Sequence, residues 1–326
     1  MAEIEVDSAL DLIRTTVPDD QPTWTENIAF WMHDPAASVR LYAHLGRMQP
    51  DRSIWEGLSI IFLPSGDLLV NRSLGVSRGA AENHEYRYRP LVPNRIWTFE
   101  FTGIVQRVRP ETPKCRPVID EPVEVASYDL VFEAVQPVFN MHGSDLKSER
   151  MHLEQGGSVR GSFVIGHRRT NIDCYGYRDH SVSQRTFTTL DSETWANCVF
   201  ANGNVFSMLQ VRRGDKQILE GQIYRSGRMH HARPVVVPDL RDIDGAPGAF
   251  AISLEIESAV IDIDGEIVQP SFPFNLLRPT GMRPGIDDSR LDSLVAVQCP
   301  TKYRWGTEVG YGWLERTRRL EALRSR

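Results

Sequence analysis

The sequence has few cysteines and no paired arrangement of them: Cys115, Cys174, Cys198 and Cys299 share no CxxC spacing, which argues against a zinc knuckle. No apolar run approaches membrane-spanning length. The N-terminal stretch MAEIEVDSALDLIRTT carries acids where a secretory leader would be basic. From these features we expect thiols in a reducing cytoplasm. Basic excess is also missing. The formal net charge is -6, with no basic tail, so nucleic-acid binding has little support.

Several catalytic signatures are absent. GRMQPDR and RRGDKQ lack the glycine-rich run ending in Gly-Lys-Ser/Thr that cradles phosphate. No GxGxxG follows a strand and opens a helix, which removes the nicotinamide-enzyme reading. Ser181 lacks a GxSxG elbow. What remains is chemistry by side chains alone, or no chemistry.

The chain instead has many short stretches with strand periodicity. In IWTFEFTGIVQRV, Trp97, Phe99 and Phe101 alternate with Thr98, Glu100 and Thr102, giving one buried face. PVEVASYDLVFEAV and SVRGSFVIG continue the pattern, with Gly156, Gly157, Gly161 and Gly166 suited to bends or bulges. WEGLSIIFLPSGDLLVNRSL reads as a hairpin around Pro-Ser-Gly-Asp. TWANCVFANGNVFSMLQVRRGDKQILEGQIYRSG gives further strands with turns at NGN and RRGD. FAISLEIESAVIDIDGEIVQPSFPFNLL adds more, with IDG expected as a turn. PTWTENIAFWMHDP is expected to be an arm laying Trp24, Phe30 and Trp31 on a larger body. Only ASVRLYAHLG and the C-terminal WLERTRRLEALRSR read as helical. The expectation is an all-β chain of two β domains, barrel or sandwich. We divide it into an arm over 1–24 and domains over 25–188 and 189–326.

Candidate chemistry gathers in YGYRDHSVSQRTF. Asp179, His180 and Ser181 are adjacent, whereas a hydrolase triad draws its members from separate segments. Neighbours on a strand point to opposite faces, so one of Asp179 and His180 would face a ligand. We take Asp179 as the pocket acid or base, with Arg185 holding its charge or a substrate oxygen, and His180 as second choice. A buried Asp-Arg pair with a purely structural role is the alternative. His152 and Glu154, two apart, would share a face and contribute next. With His142 they could also ligate a divalent metal, but the spacing matches no metal signature, and surface side chains are the plainer reading. Glu26 is a pocket candidate beside Trp24 and Phe30, although Thr25 and Asn27 around it also suit capping. Trp97, Tyr175, Tyr177 and Trp195, with Trp55, Phe99 and Phe101, could line an apolar cavity or simply form core. His230 and His231 read as exposed on a loop.

The segments WTENIAFWMHDP, IWEGLSIIFLPSGDLLV, HLEQGGSVRGSF, GYGYRDHSVSQRTF and EVGYGWLERTRRL, in that order, resemble the bacterial double lipocalin-like family that includes AttH and carotenoid 1,2-hydratase. The likeness is greater to an uncharacterised branch of it. The resemblance implies two lipocalin-like antiparallel β-barrels packed together, a hydrophobic ligand pocket, and cofactor-free addition or removal of water at an alkene. Where that family reads Asp-His-Ser/Asn-Trp-Gly, this chain has Val182 for Trp and Ser183 for Gly, then Gln184 for Pro and Phe187 for Trp, which should reshape the pocket wall. Two functions follow. One is a cofactor-independent hydratase, dehydratase or cyclase for a terpenoid, steroid-like, aromatic or polyketide-derived molecule. The other is a lipocalin-like carrier of an apolar metabolite. In either case the partner is a small hydrophobic molecule, and a homo-oligomer is compatible.

Overall fold

A computed structural model describes residues 6–16, 20–47, 51–110, 118–119, 121–141, 150–185, 187–238, 248–268, 271–277, 281–287 and 293–324. The fold is all-β, with two compact units. The first contains β1 (Trp24–Asp34), β2 (Val39–Arg47), β3 (Ile54–Phe62), β4 (Leu68–Val76), β5 (Ala81–Glu82), β6 (Tyr86–Val92), β7 (Ile96–Val108), β8 (Val123–Ala134), β9 (Phe139–Asn140), β10 (Met151–Ile165) and β11 (Arg168–Gln184). The second contains β12 (Ser192–Phe200), β13 (Val205–Arg213), β14 (Lys216–Arg225), β15 (Arg228–His231), β16 (Arg233–Val236), β17 (Ala249–Ile256), β18 (Ala259–Ile267), β19 (Phe272–Leu277), β20 (Gly281–Pro284), β21 (Leu294–Trp305) and β22 (Glu308–Arg319), followed by the short helix α1 (Leu320–Arg324). No described helix is long and apolar enough to cross a membrane.

In the first unit the sheet runs β4-β3-β2-β1-β11-β10-β8-β7, and β4 pairs back onto β7 from Leu68↔Val108 to Val70↔Gln106. The ring is therefore a closed barrel, which leaves none of its strands as an open edge. Its interior takes alternate residues from every strand: Phe30 from β1, Leu41 and Leu45 from β2, Phe99 from β7 and Phe132 from β8. Phe30 stacks on Phe99 with centroids 4.2 Å apart and planes 3° apart, while Tyr88 and Trp97 meet it edge on. Trp55, Trp97, Phe99 and Phe101 thus belong to a ring-to-ring aromatic core.

The second sheet follows β15-β14-β13-β12-β22-β21-β18-β17-β16, with β19 beside β21 and β20 beside β19. Phe206, Leu254, Ile263, Tyr303 and Leu314 lie in its core. Cys174, Cys198 and Cys299 are free, and Cys115 lies outside the described residues.

Four local expectations are corrected. ASVRLYAHLG is a turn and then β2, not a helix: Leu41, Ala43 and Leu45 alternate into the core, and that burial overrides helix propensity. PTWTENIAFWMHDP is not an arm laid on the body, because β1 pairs with both β2 and β11 inside the barrel wall. Most of WLERTRRLEALRSR extends β22, held between β12 and β21, and only its end is helical. His230 and His231 lie on β15 rather than on a loop.

Glycine usage explains a fifth difference. Ile263-Asp264-Gly265 is mid-strand in β18, and the turn falls at Glu257-Ser258. A Cβ on Gly265 would sit 2.3 Å from the ring of Phe250, its register partner, so this glycine makes room for an aromatic side chain. Gly161 has φ +146 and lies against the backbone of Asp129, where a Cβ would meet the carbonyl oxygen at 2.0 Å. It fits the expectation of a locally distorted strand.

Removing the stacked ring should expose the barrel's dependence on this core. Phe30→Ala is expected to cost about 3–5 kcal/mol in urea unfolding. Ile104→Ala, in the same barrel but 59% exposed, should stay within about 0.5 kcal/mol of the parent.

Candidate active site

Along β11 the side chains divide by alternation. Arg178, His180 and Val182 point into the barrel, in register with Phe30, Ile28 and Glu26 of β1. Tyr177, Asp179 and Ser181 point outward, beside Trp31, Ala29 and Asn27. The adjacent letters Asp179-His180 therefore feed two separate clusters.

The inner cluster is built around charge with no access to water. Arg178 and Asp11 are both fully buried, and Asp11 comes from the short 3-10 turn Ser8–Asp11. Arg178 Nη1 donates to Asp11 Oδ1 at 2.8 Å, and Nη2 donates to Oδ2 at 3.0 Å. Arg178 Nε donates to Gln155 Oε1 at 3.0 Å. Trp97 Nε1 and the Asn94 backbone N–H add donations to Asp11 Oδ2 at 2.9 and 2.6 Å. Burial alone would raise the Asp11 pKa, but Arg178 and His180 together hold it well below the usual carboxylate range.

His180 bridges two carboxylates. Its Nδ1 lies 3.3 Å from Asp11 Oδ1, and its Nε2 lies 3.0 Å from Glu26 Oε1. Burial would lower its pKa, yet the hydrogen bonds to Asp11 and Glu26 outweigh that effect and raise it. Glu26 is also fully buried, with Arg47 Nε 3.2 Å from its Oε2 and the Arg14 N–H donating to Oε1 at 3.0 Å. The Arg47 guanidinium lies over the Trp55 ring at 4.7 Å.

The outer cluster has the same ingredients and some access. His152 Nε2 is 3.0 Å from Asp179 Oδ2 and 3.3 Å from Glu154 Oε1. Tyr177 Oη donates to Glu154 Oε2 at 2.9 Å. The side chains of His152 and Asp179 are 19% and 12% exposed, while that of Glu154 is fully buried. Burial opposes ionisation of both members of the pair, but their mutual hydrogen bond and attraction raise His152 and lower Asp179. Arg185 adds positive charge near both and donates from Nη2 to Ser181 Oγ at 2.7 Å.

His44 completes the outer face. It lies across Ala29 from Asp179, since Ala29 is in register with both. Burial first, and Arg185 second, push its pKa down to about 4 against the attraction of Asp179. It is therefore a neutral imidazole at ordinary pH, and its Nε2 hydrogen bonds with Asn27 Oδ1 at 3.2 Å.

The structure thus brings His152, Glu154, Asp179, Tyr177 and Arg185 onto one face, and His180, Glu26 and Trp97 into the inner cluster. Tyr175 lies on the outward side of β11, next along from Tyr177, and is half-buried. Trp195 is buried in β12 of the second unit. His142 lies outside the described residues, and among those residues no group of three metal-ligating side chains could hold an ion. Asp11, Arg47, His44 and Gln155 were not identified from the sequence. For His44 the strand-period alternation of RLYAHLGR was a signal, but the same residues also suit a helix.

The raised His180 pKa has a sign that can be measured. A group protonated in the folded state contributes stability fully below its unfolded pKa of about 6.5. That contribution is lost as pH rises through the higher folded value. Stability should therefore fall above pH 6.5 by up to about 1.4 kcal/mol per pH unit for this proton. In His180→Gln, urea unfolding should show a slope shallower by about one proton, with the His152 contribution remaining.

Fold comparison finds crystal structures of CghA at TM-score 0.58 and 11% identity, covering 94% of this chain and 93% of that one. CghA with Sch210972 matches at 0.54 and 12%, covering 91% and 88%. Kievitone hydratase from Nectria haematococca matches at 0.55 and 9%, covering 96% and 95%. At these identities the likeness is one of fold. No curated protein matches the sequence. The family model described as a domain of unknown function, DUF7064, matches residues 10–319, and the chain belongs to that family.

Proposed function

We propose that this chain is a lyase of the hydratase or dehydratase type acting on an apolar substrate, with Asp179 and His152 as its proton-handling pair. The observation that carries the reading is the outer cluster, in which a carboxylate shifted toward its ionised form and an imidazole shifted toward its protonated form sit 3.0 Å apart with residual access. The fold shared with kievitone hydratase supports the reaction class, and so does the sequence resemblance to carotenoid 1,2-hydratase.

Such a reaction needs a base and an acid acting together. Asp179 Oδ2 is engaged with His152, whereas Oδ1 makes no hydrogen bond among the described residues. In the dehydration direction, Oδ1 takes a proton from carbon while the His152 imidazolium protonates the departing hydroxyl. The C–H and C–O bonds break, the C=C bond forms, and water leaves. Proton exchange with water at the partly exposed pair then removes the proton from Asp179 and returns one to His152, which restores both groups. Hydration runs through the same steps in reverse. Glu154, fixed by Tyr177, meets the same imidazole nitrogen as Asp179, Nε2, and adds negative charge beside it, and Arg185 steadies the charge of Asp179.

The test is incubation of purified protein with an apolar metabolite extract and with kievitone, followed by mass spectrometry. A compound gaining or losing the mass of one water is the expected outcome. Asp179→Asn and His152→Gln should each lower its rate by about 10²–10⁴-fold without a matching loss of folded protein. The rate should also decline as pH rises through the raised pKa of His152, above the unperturbed 6.5. Full turnover in Asp179→Asn would refute the assignment. Retention of an unchanged apolar compound would favour the carrier, and an isobaric product would indicate an isomerase or cyclase.

A further inference from the structure

The second unit carries a different kind of site. Three rows of side chains on one face of its sheet can be followed across β22, β12, β13 and β14. Leu314, Ala196, Met208 and Gly221 are in register, and the first three belong to the apolar core. The next row is Arg316, Thr194, Gln210 and Leu219, and the row beyond it is Arg318, Ser192, Arg212 and Gln217. Because side chains two apart share a face, the same surface passes from apolar to cationic along the strands.

A cavity of about 730 Å³ lies at the cationic end. Its lining includes Thr194, Arg212, Arg318 and Arg233, with Leu219 and the Val235–Pro238 segment supplying apolar wall. Among the described residues no acidic side chain lines it. Arg233 has Glu255 at 3.6 Å, but Arg212 makes no ion pair among the described residues. Arg212 and Arg318 flank the same residue, Ser192, from either side. The volume falls within the range of roughly 300–1,000 Å³ common for small-molecule sites.

We infer that this cavity binds a small amphipathic organic anion, its carboxylate or phosphate head held by Arg212 and Arg318 and its apolar body against Leu219 and the Val235–Pro238 wall. Guanidinium groups suit such heads because their planar donors match two oxygens at once. The site draws on none of the residues of the acid-base pair, and the inference stands apart from the reaction assigned to them.

Calorimetric titration of the full chain tests it with dodecanoate, dodecanol and inorganic phosphate as probes. Dodecanoate should bind at one site per chain, at least tenfold more tightly than dodecanol or phosphate. The double substitution Arg212→Gln/Arg318→Gln should weaken it at least tenfold. Both arginines sit at the partly exposed end of their strands, and circular dichroism verifies that the double variant stays folded. Asp179→Asn should leave dodecanoate affinity unchanged, which separates this result from the fate of the proposed lyase. Equal affinity for dodecanoate and dodecanol would overturn the inference, as would an unmoved affinity in the double variant. Phosphate binding as tightly as dodecanoate would reassign the cavity to inorganic anions and remove the apolar half of the proposal.

Discussion

The fully buried guanidinium of Arg178 imposes the strictest demand on the first unit. Arginine cannot shed its proton at any ordinary pH, so its charge must be matched where it lies. An uncompensated ion there would cost several kcal/mol. Asp11 supplies the counter-charge in a two-pronged pair, and Gln155 satisfies Nε. Asp11 precedes the first barrel strand, so this pairing ties the N-terminal segment into the barrel interior. The same pairing fixes which way β11 faces, because a register slip of one residue would expel Arg178 and draw Asp179 inward.

With that register set, the two faces of β11 carry the same chemical motif under different conditions. On each, one histidine meets two carboxylates: His180 bridges Asp11 and Glu26 through its two ring nitrogens, whereas His152 meets Asp179 and Glu154 through Nε2 alone. Both imidazoles are shifted toward the charged form for the same reason, since the attraction of paired carboxylates exceeds the penalty of burial. Access separates them. His180 and its partners are sealed, with Asp11 and Glu26 also committed to arginines and backbone N–H groups. A proton on His180 therefore serves cohesion, while the partly exposed His152–Asp179 pair retains an oxygen that an incoming molecule can meet.

What was legible in the sequence was mostly local periodicity. IWTFEFTGIVQRV, PVEVASYDLVFEAV and the hairpin around Pro-Ser-Gly-Asp form the expected strands, because one buried face per strand leaves a period of two. The same rule separated Asp179 from His180 and put His152 with Glu154. It could not find Asp11, which meets Arg178 from 167 positions away, since no local pattern encodes a contact of that range. His44 escaped because leucines, alanines and arginine around it also suit a helix, and only pairing with β1 and β3 decides the matter. The C-terminal stretch failed the same way, its helix formers being held extended between two strands.

Val182, expected from the sequence to reshape a pocket wall, acquires a different meaning in this register. Val182 points to the inner side, where it is buried with Trp24, Met151, Leu153 and Val6. Val6 comes from the N-terminal segment, and Leu10 of the same segment packs against this cluster. A tryptophan at 182 would need the space these side chains occupy, because a close-packed interior tolerates added volume poorly. The small residue is thus matched to the segment that delivers Asp11. Its consequence for the outer face is indirect: it lets the N-terminal turn seat beneath β11, Arg178 find its counter-charge, and Asp179 emerge beside His152.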